Sequence, residues 1–155
     1  MFKLRSLLIV IADGEHARCV RVGPDDALRS DRSFDSISAH KQSAGLGSDH
    51  PGASFHTGSS AAHAEMPRHD LHRMAKQKFA NLIGDELNAA AARIEFDELI
   101  IVAPTRVLAA IRSRLDDSTR AAIIGTLKKD LVKTPDHELW PHLAKWVGPV
   151  HPATG

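Results

Sequence analysis

The chain has 155 residues, of which 43% are apolar and 25% charged, the make-up of one ordinary globular domain rather than of a disordered chain. A net charge of +1 and an aromatic content of 5%, with no tyrosine, exclude a strong global field for nucleic acid and leave few platforms for stacked bases. Cys19 is the only cysteine, which excludes an intrachain disulfide and a thiolate metal cluster.

Lys3 and Arg5 precede the apolar run Leu7 to Ala12 and give it the outline of a secretory leader. The run is short, and Asp13-Gly14-Glu15 stands where small residues would mark cleavage. It reads instead as a first strand, apolar on both faces and therefore central, and the expected location is cytoplasmic. Asp13-Gly14 predicts a hairpin turn using a positive φ. His16 to Val22 then returns antiparallel, and Cys19 within it reads as a small buried hydrophobe. After a turn at residues 23–26, Ala27 to Phe34 is a charged third strand suited to a sheet edge.

From 36 to 66 the chain is rich in Ser, Gly, Ala and His and sustains no period. A connection of that length is a functional loop or a disordered one. Pro67 to Arg93 reads as one long helix, with Leu71, Met74, Ala75, Phe79, Leu82, Ile83, Leu87 and Ala90 as its core stripe. Gly84 inside it costs about 1 kcal/mol of helix propensity and suits close packing.

Leu99 to Ala103 is an unbroken apolar run, as expected of a strand buried on both faces at the centre of a sheet. Pro104 ends it, and Val107, Leu108, Ile111 and Leu115 recur at helical spacing. In Thr119 to Leu131, Ala121, Ala122, Ile123, Ile124 and Leu127 suit a helix, but Gly125 and Thr126 interrupt it, and the favoured reading is a strand parallel to the Leu99 strand, reached by a right-handed crossover. Thr134 as N-cap and Pro135 at the first helical position open a last helix buried through Leu139, Leu143 and Trp146. The expectation is a single α/β domain over 1–148 with a flexible tail at 149–155. Its mixed sheet has antiparallel N-terminal strands followed by helix-linked parallel ones, with helices packed on it.

Chemistry-bearing motifs are sparse. Six of ten histidines fall between 40 and 72, and His69 and His72, one turn apart, are weak candidates for a metal site; solvated histidines on a loop and a helix start are the favoured explanation. No Walker loop and no Gly-x-Ser-x-Gly elbow occurs, and the Gly-rich 45–52 stretch follows no strand. Asp116 and Asp117 suit a helix cap. Residues 104–133 hold seven Arg or Lys against three Asp, an excess of +4. Arg106, Arg112, Arg114, Arg120 and Lys128 among them form a candidate RNA-facing basic patch or an ordinary solvated face. No run approaches the ~20 apolar residues that span a bilayer, so no membrane partner is expected, and no cofactor is assigned.

Ile9-Val-Ile-Ala-Asp-Gly-Glu-His-Ala-Arg18, Ser48-Asp-His-Pro-Gly52, Phe79-Ala80, Phe96-Asp-Glu-Leu-Ile-Ile-Val-Ala-Pro104 and Lys129-Asp-Leu131 with Thr134-Pro135 follow one another in an order that resembles the bacterial host attachment protein family. The resemblance runs over roughly 6–145. That family in turn resembles, at fold level, the middle domain of archaeal and eukaryotic peptide-chain release factors. It does not bring their chemistry, because peptide release uses a Gly-Gly-Gln tip and neither Gln42 nor Gln77 follows a glycine. The resemblance implies a non-enzymatic protein acting through a protein partner, or a ribosome- or RNA-associated factor; a metal-dependent hydrolase is the third reading. It marks Asp13, Gly14, Asp49, Gly52, Lys129 and Asp130 as candidate positions. Asp13 and Asp130 are expected at the ends of central strands, where α/β sheets often bind ligands and where Asp also simply bonds turn amides. Oligomeric state is left open.

Overall fold

A computed structural model describes residues 6–23, 25, 27–36 and 68–147, with the side chains of 68 and 69 outside the description. Asp49, Gly52, the expected 36–66 loop beyond residue 36 and the expected tail lie outside the described residues.

The elements are β1 (Leu7–Ala12), β2 (His16–Val22), β3 (Leu28–Asp35), α1 (Arg68–Ala92), β4 (Glu98–Val102), α2 (Thr105–Arg114), α3 (Asp117–Ala121), β5 (Ile123–Leu127) and α4 (Trp140–Val147), with a 3-10 turn at Asp136–Glu138 before α4. They form one five-stranded mixed sheet in the order β3-β2-β1-β4-β5. β1 and β2 pair antiparallel, as do β2 and β3, whereas β1 with β4 and β4 with β5 are parallel. The expected α/β class and strand directions hold. The middle strand is β1, however, and β4 lies beside it.

Alternation along the strands sends side chains into two cores. Leu8, Val10, Leu99 and Ile101 meet Phe79, Ile83 and Leu87 of α1 and Leu108 and Ile111 of α2. Ile9, Ile11, Ile100 and Val102 meet Leu139 and Leu143 on the other face. Both faces of β1 and β4 are therefore covered, which is why these two strands read as continuous apolar runs.

Several expectations are corrected. Leu71, Met74 and Ala75 are exposed, while Phe79, Ile83, Leu87 and Ala90 of the same stripe are buried. The reason is length. Twenty-five helical residues span about 37 Å, but a strand of five or six spans about 17–20 Å, so α1 outruns the sheet.

Thr119 to Ala121 is helical, not strand. Asp116 caps α3 by accepting a hydrogen bond from the Thr119 amide at 2.9 Å, and the parallel strand starts only at Ile123. Thr134 is no N-cap: Arg18 donates to the Thr134 carbonyl oxygen and holds this segment on the sheet. The α-helix begins six residues later at Trp140, and Pro141, whose fixed φ suits a first turn, was its signal. Neither Asp13 nor Gly14 of the β1–β2 turn adopts the left-handed φ. The turn is tied instead by the Asp13 carboxylate, which accepts from the Glu15 and His16 amides, both at 2.7 Å.

Candidate functional site

Because β1, β4 and β5 run parallel, their carboxyl ends share one edge of the sheet. The chain leaves β1 toward β2 and β3 on one side and returns through β4 and β5 on the other. This is the topological switch at which open α/β sheets tend to hold ligands. Asp13 and Gly14 follow β1 there. Lys128, Lys129 and Asp130 follow β5, an edge strand and not the central one expected for Asp130. Arg106 lies on the first turn of α2 just after β4.

Two further groups reach this end. The aliphatic stem of Lys76 lies over Gly14, where an added Cβ would come within 2.7 Å of its Cγ. Since α1 runs opposite to β4, its projecting first turns, with Leu71 and Met74, stand at the same edge. Sequence reading missed Lys76 and assigned Leu71 and Met74 to the core. Helix length set against strand length would have flagged all three.

Local bonding is modest. Asp130 accepts from the Val132 amide at 3.3 Å, and Lys129 Nζ lies 3.3 Å from Nδ1 of His142. The Asp13 carboxylate is committed to its turn. These acids therefore hold loops, as short polar side chains at strand exits commonly do.

The basic candidates fall into two groups. Arg106 and Lys128 belong to the carboxyl edge. Arg112, Arg114 and Arg120 lie at the opposite end, because α2 runs back about 15 Å from β4 before β5 begins. Arg114 there grips Asp85 at 2.8 and 3.2 Å. Arg120 bonds the Leu115 carbonyl oxygen at 2.8 Å and sits 3.6 Å from Asp117. His72 is exposed on α1, and the His69 side chain is not among those described. Among the described residues no three His, Cys, Asp or Glu side chains converge as a metal site would require, and no helix is long and apolar enough to cross a membrane.

Beneath α1, Cys19 lines a small cavity of about 30 Å³ with Leu8, Val10, Phe34, Ile83 and Leu87, room for about one water. The Arg32–Glu86 pair at 3.3 Å and the Arg21–Asp31 pair at 3.5 Å stand at its rim. Burial pushes the Cys19 thiol up to about 11, the setting of an inert packing thiol and not of a nucleophile.

The fold and this edge define a class: an α/β protein with a mixed sheet whose switch point is flanked by a projecting helix and lysine-rich turns. Over residues 8–143 the chain matches the family described as "Protein required for attachment to host cells", and it belongs to that family. A search of curated proteins gave no match.

Proposed function

We propose that the chain serves host attachment by binding a protein partner, without chemistry of its own, through the carboxyl-edge end of the molecule. The observation that carries this reading is the exposure of Leu71 and Met74, 42% and 49%, on the part of α1 that outruns the sheet. Large apolar side chains held in water on a rigid helix favour burial in a complementary groove. A cytoplasmic site of action, which makes the effect on attachment indirect, is part of the proposal. Leu71→Glu with Met74→Glu tests it. Both positions are exposed, so the expected variant keeps the parental unfolding midpoint while cells producing it lose adherence to host cells. Normal adherence with normal protein levels overturns the reading.

A second reading, an RNA- or ribosome-associated factor of release-factor-like fold, is favoured by Lys76, Arg106 and Lys128. These three at one edge make no ion pair among the described residues. Salt-dependent co-sedimentation with ribosomes, abolished by charge reversal of all three to Glu, is its expected signature. Sedimentation unchanged by the reversal removes this edge as its basis.

A further inference from the structure

A surface helix usually turns charge toward water, and α1 largely does not. Phe79, Ile83, Leu87 and Ala90 face the sheet. The outer side repeats every seven residues in two rows: Ala75, Leu82 and Ala89 in one, Leu71, Lys78, Asp85 and Ala92 in the other. That is the spacing of a helix–helix seam, and five of its seven residues are apolar. Leu82 is half-buried and the other six are exposed. The charges along α1 are also sorted. Arg73, Lys76 and Lys78 stand in its first half against Asp70, whereas Asp85 and Glu86 stand in its second half, which holds no base. No acid lies three or four residues from Lys78, and Lys78 makes no ion pair among the described residues.

We propose that the outer side of α1 is the seam of a dimer, along which a second copy of this chain lays its own α1 antiparallel. The inference rests on the reading above that Leu71 and Met74 are buried in a complex, and it names the partner. The occupant is a second copy because α1 complements itself when reversed: its basic half then meets the acidic half of the other copy, twice. Interdigitation of the two rows sets the register. With the two-fold level with residue 80, Ala75 falls between Ala89 and Leu82 of the second copy, so that row is apolar throughout. In the other row Leu71 lies about 5 Å along the seam from Ala92 of the second copy, and Lys78 equally close to its Asp85. The two Lys78 side chains flank the axis, and each reaches outward to that carboxylate. Arg114 already holds the Asp85 oxygens at 2.8 and 3.2 Å, and each oxygen keeps a lone pair for a second donor. Seven positions along about 30 Å of helix make a small interface, so the dimer is reversible.

Sedimentation equilibrium of the full chain from about 1 μM to about 1 mM is the first measurement. The expected mass rises toward twice the 16.8 kDa of one chain. Lys78→Glu, at an exposed position, should keep the circular dichroism spectrum and raise the dissociation constant about tenfold or more. The register has its own test in Leu71→Cys with Ala92→Cys. These two positions lie about 30 Å apart in one chain and side by side between copies, so mild oxidation is expected to give a covalent dimer. Leu71→Cys alone should not cross-link, since the two copies of that residue stand about 25 Å apart. Wild type that stays monomeric throughout the series overturns the proposal; if Leu71→Glu with Met74→Glu still abolishes adherence, the reading of a protein partner stands and the partner is another protein. A dimer that Lys78→Glu leaves unchanged, with no cross-link in the double-cysteine variant, overturns it equally, because the contact then lies elsewhere.

Discussion

Gly125 lies against the indole of Trp146, and a Cβ built on it would stand 2.3 Å from both Cε2 and Nε1 of that ring. The contact seats the end of α4 on the sheet directly over its edge strand. The ring is rigid, so an added methyl must move either α4 or β5. Gly125→Ala is expected to cost about 1–3 kcal/mol, the range for overpacking a filled site. The measurement is the urea midpoint by circular dichroism. In a Trp146→Ala background the same substitution should cost much less, since the clash is gone. Equal costs in the two backgrounds would show that the close approach is not the reason for glycine here.

Gly84 and Gly14 separate two kinds of crowding. A Cβ at Gly84 would meet Arg114 Cβ at 2.6 Å, an atom fixed to the α2 backbone. Gly84→Ala gains about 1 kcal/mol of helix propensity but drives α1 from α2 and disturbs the Arg114–Asp85 pair. A net loss of about 1 kcal/mol is expected. At Gly14 the neighbour is Cγ of Lys76 at 2.7 Å, part of a flexible chain in water that can swing away. Gly14→Ala should lie within about 0.5 kcal/mol of wild type. Thermal unfolding of the two variants in parallel checks the order.

The sequence disclosed what periodicity controls and hid what depends on relative length and on distant partners. β1 and β4 were visible because both their faces are buried, and the hairpin was visible through Asp13-Gly14. Leu71 and Met74 continue the stripe of Phe79 and Ile83 without a break, so only the shortness of the strands reveals that they project. Thr134 looked like a cap. Its carbonyl oxygen is claimed by Arg18, 116 residues earlier in the chain, and no local pattern signals that. Arg106, Arg112, Arg114, Arg120 and Lys128 suggest a common face because they are close in sequence. A helix running back along the sheet divides them. Of the candidate site, Asp13, Gly14, Lys129 and Asp130 were legible as strand exits, while Lys76 was not, since its relation to Gly14 depends on where α1 lands.

Ile94 is a β-branched residue at φ 57, the left-handed region, and it is 74% exposed. It ends α1 in a Schellman motif: the Ile94 amide donates to the Ala91 carbonyl oxygen at 2.9 Å and the Glu95 amide to that of Ala90 at 3.0 Å. Glycine is the usual occupant of this position because a Cβ costs about 1–2 kcal/mol there. Little apolar burial is lost when so exposed a side chain is removed. Ile94→Gly is therefore expected to stabilise the protein by about 1 kcal/mol, with Ile94→Asn intermediate and Ile94→Val unchanged. A lower midpoint for the glycine variant would mean that the Ile94 side chain contributes a contact outweighing its backbone strain.

Cys19 gives the alkaline limb of stability a defined cause. Burial raises its thiol from 9.0 to about 11, against the lowering pull of Arg32 and Arg21. The folded state thus holds this proton more tightly than the unfolded chain does. Below pH about 9 both states keep it, and the thiol's full contribution is present. As pH rises from about 9 the unfolded chain ionises first and is favoured, so stability falls until the folded thiol also ionises near 11. The total loss is about 2–3 kcal/mol. The chain has no tyrosine, and Cys19→Ala shares every titratable side chain but this thiol. Urea unfolding between pH 8 and 11 should therefore fall more steeply in wild type than in Cys19→Ala. Native protein should also react with iodoacetamide at pH 8 far more slowly than unfolded protein. Parallel pH profiles for the two proteins, or a native alkylation rate matching the unfolded one, would place the thiol in water and remove the cavity beneath α1 as its setting.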